Sequence, residues 1–404
     1  MVNVAGSVLA RLRRRLTGMR PRQRVLLVAL LVALVLFGVA FIKPPRGDAR
    51  GDAPPSQDVI LRFERDLELP YETSGIGDEE GPGPQGGLAD AVRASPRFRD
   101  EFVIVAFTNL GNLKFTVNWL VSLHRVGADI RLPLLICTDT ESYSYLGASG
   151  LNVVLLDEAM RAEVGWPVEK SKNGQGEVPA GKSAYLSAGY GVIVRVKMAV
   201  TAYIVYALRT PMIFSDVDLV LLRRDPKNAF DDMVDTLSSL KTVDMLIQQD
   251  APGDRCTGFF IERPTKLVRR LFKGWDELLH RDVDKTNNRN QGSFNRVCMA
   301  LDCEGTFLRI LDDTAPYGYL PGRLIFFNTT QPVYQSAIDA RWPYAPHAEQ
   351  LSLSPSEYPF MAHANWLVGA EKLDKLKLYN VWWADDLRHI RAAGLKGDPY
   401  PDGA

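Results

Sequence analysis

Residues 211–226 read PMIFSDVDLVLLRRDP. Apolar side chains run through most of this stretch, and two aspartates, Asp216 and Asp218, interrupt them. A short apolar run bounded by polar residues reads as a buried strand. Burying one carboxylate without a partner is costly, and two near each other repel. Something cationic has to compensate. Residues i and i+2 of a strand point to the same face, so the two carboxylates would sit side by side. That pairing suits a hard divalent cation, Mg2+ or Mn2+, which takes oxygen ligands and keeps positions open for a diphosphate. The alternative is a pair of acids at a strand end, answered by Arg223 and Arg224 at the surface. The D-x-D pattern alone is common, and its weight here comes from the apolar run around it.

Outward from this stretch the chain alternates. VIVRVKMAVTAYIVYALRT (192–210) reads as the preceding helix. Further back, EFVIVAFTN (101–109), LPLLICTD (132–139) and LNVVLLD (151–157) are apolar runs that end in polar residues, as buried strands do. Between the first two, LKFTVNWLVSLHRVG (113–127) has helical spacing and closes on Gly127. The order strand, helix, strand, strand opens an α/β domain. Polar strand ends are where such sheets bind ligands.

The whole chain has 404 residues, 46% apolar and 24% charged, as globular proteins do. Its net charge of zero hides an asymmetry. Residues 1–50 hold ten Lys or Arg against Asp48 alone, which leaves 38 basic and 47 acidic residues in the rest. An acidic body argues against nucleic acid as a partner. The basic lead precedes Val25–Ile42, VLLVALLVALVLFGVAFI, 18 residues without a charge. At roughly 1.5 Å per residue it spans a thin bilayer. Seven arginines before it put the N-terminus in the cytosol and the body across the membrane. A cleaved signal peptide ending near Gly38–Ala40 is the alternative, but the basic lead and the apolar run are long for one. The expected organisation is a cytosolic tail (1–24), a membrane anchor (25–42), a flexible stem (43–95), the α/β domain (96–385) and a C-terminal tail (386–404). The stem holds two Pro/Gly-rich linkers, 43–56 and 74–87, around a short helix at 57–72.

Four cysteines without C-x-x-C spacing are too few for a disulfide scaffold or a zinc site. Cys298 and Cys303 are near enough to pair in an oxidising lumen, or are small buried apolar residues. Asn328-Thr329-Thr330 is a glycosylation sequon, usable only if the body is luminal. One further pattern, GEVPAGKS (176–183), fits the phosphate-cradling G-x-x-x-x-G-K-[ST] loop. A working loop of that kind follows a buried strand and opens a helix. Here a polar stretch precedes it, Pro179 removes a backbone donor, and Tyr185–Gly191 is a poor helix start. It reads as a solvated loop, with a flexible lid carrying Lys182 as the narrower possibility.

FSDVDLVLLRRDP, CTGFFIERP (256–264), NQGSFN (290–295) and HANWLVGAEKL (363–373) occur in the order seen in the nucleotide-diphospho-sugar transferase family. Over about residues 100–380 the chain resembles that family, which is similar to glycosyltransferase family 77 with its plant xylosyl- and arabinosyltransferases. The resemblance implies a Rossmann-like GT-A fold and a retaining reaction. It implies Asp216, Asp218 and His363 as metal ligands, with Asp218 rather than Asp216 favoured as the direct carboxylate ligand, although a lone histidine is more often a packed core side chain. Asn365 would sit beside His363. Gly369 and Lys372 would approach the diphosphate, and Arg195 and Lys197, on the helix before the metal strand, would hold the donor; surface solvation is their plainer reading. Thr108, Asn109 and Asp139 stand where such folds hold the nucleoside, or are ordinary loop polars. Gln291 matches the glutamine of the family's Asp-Gln pair beside the reacting sugar. Asn290 departs from the pattern, since it keeps hydrogen bonding and carries no charge.

The expectation is therefore a single-pass Golgi enzyme with its domain in the lumen, moving a pentose or hexose from a UDP-sugar to a hydroxyl of a glycan or glycoprotein, with Mn2+ or Mg2+. Two rivals stand beside it. One is a luminal kinase or sulfotransferase using Gly181, Lys182 and Ser183. The other is a non-catalytic domain that binds sugar nucleotides, motivated by Asn290.

Overall fold

The computed structural model describes residues 85–166, 188–222, 228–249, 255–281, 290–303, 307–311, 324–326, 361–364, 370–378 and 380–396. All of them belong to the unit 61–404; the other unit, 1–60, lies outside the described residues. So do the expected anchor, the first linker, the helix at 57–72, the GEVPAGKS loop, Asn328, Asn365 and Gly369. Among the described residues no helix is long and apolar enough to cross a membrane.

In chain order the first half runs α1 (Gly87–Ala94), β1 (Val103–Thr108), a 3-10 turn (Leu110–Asn112), α2 (Leu113–Arg125), β2 (Leu134–Cys137), α3 (Thr140–Ala148), β3 (Val153–Leu155), α4 (Glu158–Glu163) and α5 (Ala188–Tyr206). Next come β4 (Met212–Ser215), β5 (Leu219–Leu221), α6 (Ala229–Ser239), β6 (Met245–Gln249), β7 (Arg255–Glu262), α7 (Lys266–Arg281) and α8 (Asn290–Ala300). Last are β8 (Leu308–Leu311), β9 (Leu324–Phe326), β10 (Met361–His363), α9 (Ala370–Leu378) and α10 (Leu387–Ala392). The fold class is mixed α/β, as the sequence implied. A seven-stranded sheet has the order β3-β2-β1-β4-β7-β6-β8. Its pairs are parallel except those of β7, which runs against both β4 and β6. A second sheet has the order β5-β10-β9.

The apolar runs are continuous because the large sheet is covered on both faces. Successive residues of β1 alternate between two cores. Val103 and Val105 face α5, α7 and α8, while Ile104 and Ala106 face α2 and α6. The chain leaves β1 towards β2 and β3 and then returns to the other side of β1 as β4. The carboxyl ends of β1 and β4 thus flank a switch point, where an open α/β sheet has its crevice.

Several expectations need correction. Residues 211–222 are not one strand. The run breaks at Asp216, and β4 and β5 belong to different sheets. Two carboxylates are poorly tolerated inside a covered sheet, and the bend takes them out of it. A helix, α3, lies between β2 and β3. Its N-cap is Asp139, whose carboxylate accepts the Ser142 N–H. The folded body also reaches back before residue 96. The α1 helix buries Leu88, Ala89 and Val92, and the Glu163 carboxylate accepts the N–H groups of Leu88 and Ala89. It continues past 385 as well, since Ile390 and Leu395 are buried. Asn118, buried in α2, holds this last segment. Its amide donates to the Val381 carbonyl at 3.0 Å and accepts the Trp383 N–H at 2.6 Å. Cys298 and Cys303 are disulfide-bonded, with Cα atoms 5.1 Å apart, while Cys137 and Cys256 are buried and take no part in that bond.

Candidate metal centre

The bend between the two sheets brings the acids and the histidine together. Asp216 follows the last residue of β4, and its N–H donates to the Gly258 carbonyl of β7 at 2.7 Å. Asp218 immediately precedes β5, which pairs with β10 so that His363 lies opposite Leu219. The Ala364 N–H donates to the Asp218 carbonyl at 3.1 Å and extends that ladder. One ligand atom from each of Asp216, Asp218 and His363 then lies within 4.8 Å of the others. His363 is 2% exposed, and the two aspartate side chains are 29% and 15% exposed, so the cluster is open on the Asp216 side.

Positive charge surrounds the carboxylates. Lys197, from α5, donates to Asp216 Oδ1 at 2.8 Å, and its ammonium lies 5.2 Å from the centre of the Phe214 ring. Lys372, from α9, is ion-paired with Asp218 Oδ2. His363 Nε2 is 3.3 Å from Asp218 Oδ1. Burial disfavours ionisation of Asp218, yet Lys372 and His363 outweigh it and hold the carboxyl well below the usual range. Burial also disfavours a charged His363. Asp218 outweighs that in turn, Cys256 adds to the effect, and the imidazole is pushed up to about 10.

Three observations bear on whether a divalent cation fits. The donors are two carboxylates and an imidazole, a set for a hard or borderline ion. Asp218 Oδ1 is buried and, apart from His363 Nε2 at 3.3 Å, has no partner among the described residues. A side chain on Gly258 would fill the space, since its Cβ would stand 2.7 Å from His363 Cε1 and 2.8 Å from Asp216 Oδ2. The residues fit such an ion.

The remaining candidates divide. Thr108, Asn109 and Asp139 are buried together at the carboxyl ends of β1 and β2, and each has a partner in the chain. Thr108 is 2.6 Å from the Thr116 hydroxyl. Asn109 accepts the Asn112 N–H, and Asp139 accepts those of Ser142 and Leu110. These contacts knit the strand ends into a rigid rim. Arg195 lies over the Trp166 ring, its guanidinium carbon 5.7 Å from the ring centre. Gln291 is the second residue of α8, whose first residue is Asn290. Its carbonyl accepts from the Asn295 amide at 3.0 Å, and Asn295 Oδ1 accepts both the N–H and a guanidinium N–H of Arg255. The first turn of α8 is thereby fastened to the start of β7, next to Cys256.

Sequence reasoning missed Gln248, Cys256 and Gly258 as parts of this centre. Gln248 and Cys256 are cross-strand partners, and Gln248 Oε1 lies 2.8 Å from His363 Nδ1. The available signals were a glutamine pair ending the apolar run of β6 and a glycine inside the covered strand β7.

A family model described as nucleotide-diphospho-sugar transferase matches residues 130–377, more than half of the chain. No curated protein matches the sequence. Among solved structures, the glycosyltransferase GlyE of Streptococcus pneumoniae TIGR4 is similar at a TM-score of 0.37 and 12% identity, over 74% of this chain and 65% of that one. Mouse xyloside xylosyltransferase 1 is similar at 0.39 and 13%, over 66% of this chain and 98% of that one. The chain therefore spans just under two thirds of the length of GlyE.

Proposed function

The chain belongs to the nucleotide-diphospho-sugar transferase family, and from that premise we propose that it transfers a pentose or hexose from a UDP-sugar to a hydroxyl of a glycan or glycoprotein. The observation that carries the reading is the convergence of Asp216, Asp218 and His363 from two sheets at the switch point of the fold. Mn2+ or Mg2+ is the ion proposed for that centre, held by the two carboxylates and His363 Nε2. When bound, it supplies the positive charge that steadies the departing diphosphate.

The chain's own residues do the rest. Lys197 and Lys372, paired with Asp216 and Asp218, are the cations that would meet the phosphate oxygens of a bound donor. Gln291 and Asn290, at the start of α8, orient the donor sugar by hydrogen bonds. The acceptor hydroxyl attacks the anomeric carbon from the face that UDP leaves, with retention of configuration. The body works in the Golgi lumen, anchored by Val25–Ile42; the charge asymmetry around that segment supports this orientation.

A UDP-release assay of the full chain with Mn2+ and UDP-linked xylose, arabinose or galactose tests the reading. Release is expected with at least one donor, and Asp218→Asn should lower it about a hundredfold or more. Unchanged turnover in Asp218→Asn overturns the metal role. Loss of all release on Lys182→Ala would instead favour the loop-based kinase or sulfotransferase.

A further inference from the structure

The ring of His363 has two nitrogens, and only one can face the two aspartates. Nε2 is the one that does, 3.3 Å from Asp218 Oδ1. Nδ1 points back into the protein, where its partner 2.8 Å away is Gln248 Oε1. Gln248 is fully buried at the end of β6, and the ladder between β6 and β7 shifts register between Ile247 and Gln248. That irregularity sets Gln248 opposite Cys256 and beside β10. We infer that Gln248 is the positioning residue of the metal centre: its amide oxygen accepts the Nδ1–H of His363 and so keeps the Nε2 lone pair directed at the ion.

With an ion on Nε2 the imidazole is neutral and carries one N–H. If Gln248 accepts it at Nδ1, Nε2 is left as the donor atom for a metal. With the amide reversed, Nδ1 would accept and the ring proton would face Asp218, where no ion could use that nitrogen. The packing gives the ring little other freedom, because Gly258 lies against Cε1 on one side and His363 is 2% exposed. Gln248 belongs to a different strand from all three ligands, and its amide oxygen meets His363 at Nδ1, the ring nitrogen opposite the one beside Asp218. An amide is also suited to the place in charge. A carboxylate there would add a third negative group to the pair already at 216 and 218, whereas glutamine supplies the acceptor alone.

The inference rests on the metal reading proposed above, and the two can fail separately. The probe is Mn2+ alone, added to the full chain without donor or acceptor, with free Mn2+ counted by electron paramagnetic resonance. Gln248→Met keeps the length of the side chain and loses the amide acceptor; it should weaken Mn2+ binding about 10- to 100-fold. Gln248→Glu restores an acceptor for the Nδ1–H and should bind within about threefold of the wild type. A merely structural role predicts that the glutamate variant loses as much as the methionine variant, so equal losses overturn the inference. Wild-type affinity in Gln248→Met, beside loss in Asp218→Asn, overturns it while leaving the metal reading intact. Wild-type affinity in Asp218→Asn removes the metal reading and the positioning role with it. Should Gln248→Met not fold, as judged by circular dichroism, the glutamate variant decides alone, with weak binding counting against the inference.

Discussion

Gly258 stands where two ligands meet, and the absence of a side chain there is a condition of the site. The Cβ of an alanine would lie 2.7 Å from His363 Cε1 and 2.8 Å from Asp216 Oδ2. Asp216 is partly exposed and can turn away. His363 is buried and held at Nδ1 by Gln248, so relief falls mainly on the aspartate. Gly258→Ala should weaken Mn2+ binding about tenfold and cost about 1–3 kcal/mol of stability from overpacking. Mn2+ titration and urea denaturation measure the two effects, and an unaltered affinity would refute the steric argument. At this scale the sequence told much about the acids and little about their surroundings. Asp216 and Asp218 stood out because carboxylates break an apolar run. His363 and Lys197 came from family likeness. Gln248 gave no comparable signal, since a glutamine at a strand end does not announce a partner 115 positions away.

Among the elements, β7 carries the most constraint. All eight of its residues are buried, from Arg255 at the metal side to Glu262 at the far end. The Glu262 carboxylate is fully buried, with the backbone of Met212 on β4 beside it. Burial, reinforced by Asp244, raises its pKa well above the usual value. The folded state then keeps a proton that the unfolded chain releases above about pH 4.5. Stability therefore falls as pH rises from there towards the folded-state pKa. Glu262→Gln should raise the Tm at pH 8 while leaving it nearly unchanged at pH 4; an equal shift at both values would rule out the proton linkage. Element boundaries were readable where periodicity was strong. The α2 helix ends before Gly127, which adopts a φ of 79°, as its helical spacing and closing glycine implied. The α3 helix escaped notice because TESYSYLGA has no apolar stripe, burying only Ser142 and Leu146. The break after β4 escaped because the apolar residues resume at once in β5, and sequence alone does not say that they resume in another sheet.

The whole molecule is expected to be held to a membrane by Val25–Ile42, far in sequence from Asp216 and Asp218. In cells, the full chain should sediment with membranes and resist alkaline carbonate, whereas residues 43–404 should remain in the supernatant. Release of the full chain by carbonate would refute the anchor at Val25–Ile42. The fold class was readable at this scale because alternating apolar runs and helical spacings depend on local sequence. The joining of the two sheets was not, because it depends on a pairing between distant segments. That pairing also bears on the order of events during synthesis. Asp218 and its partner Lys372 are separated by 154 positions, and β5 finds β10 across nearly as much chain. Closing so long a loop is entropically expensive and kinetically late. A ribosome that has translated only the first 300 residues has delivered both aspartates and Lys197, but neither the imidazole nor the second lysine. The nascent chain therefore carries two of the three ligands, and the set is complete only once residue 363 has been made.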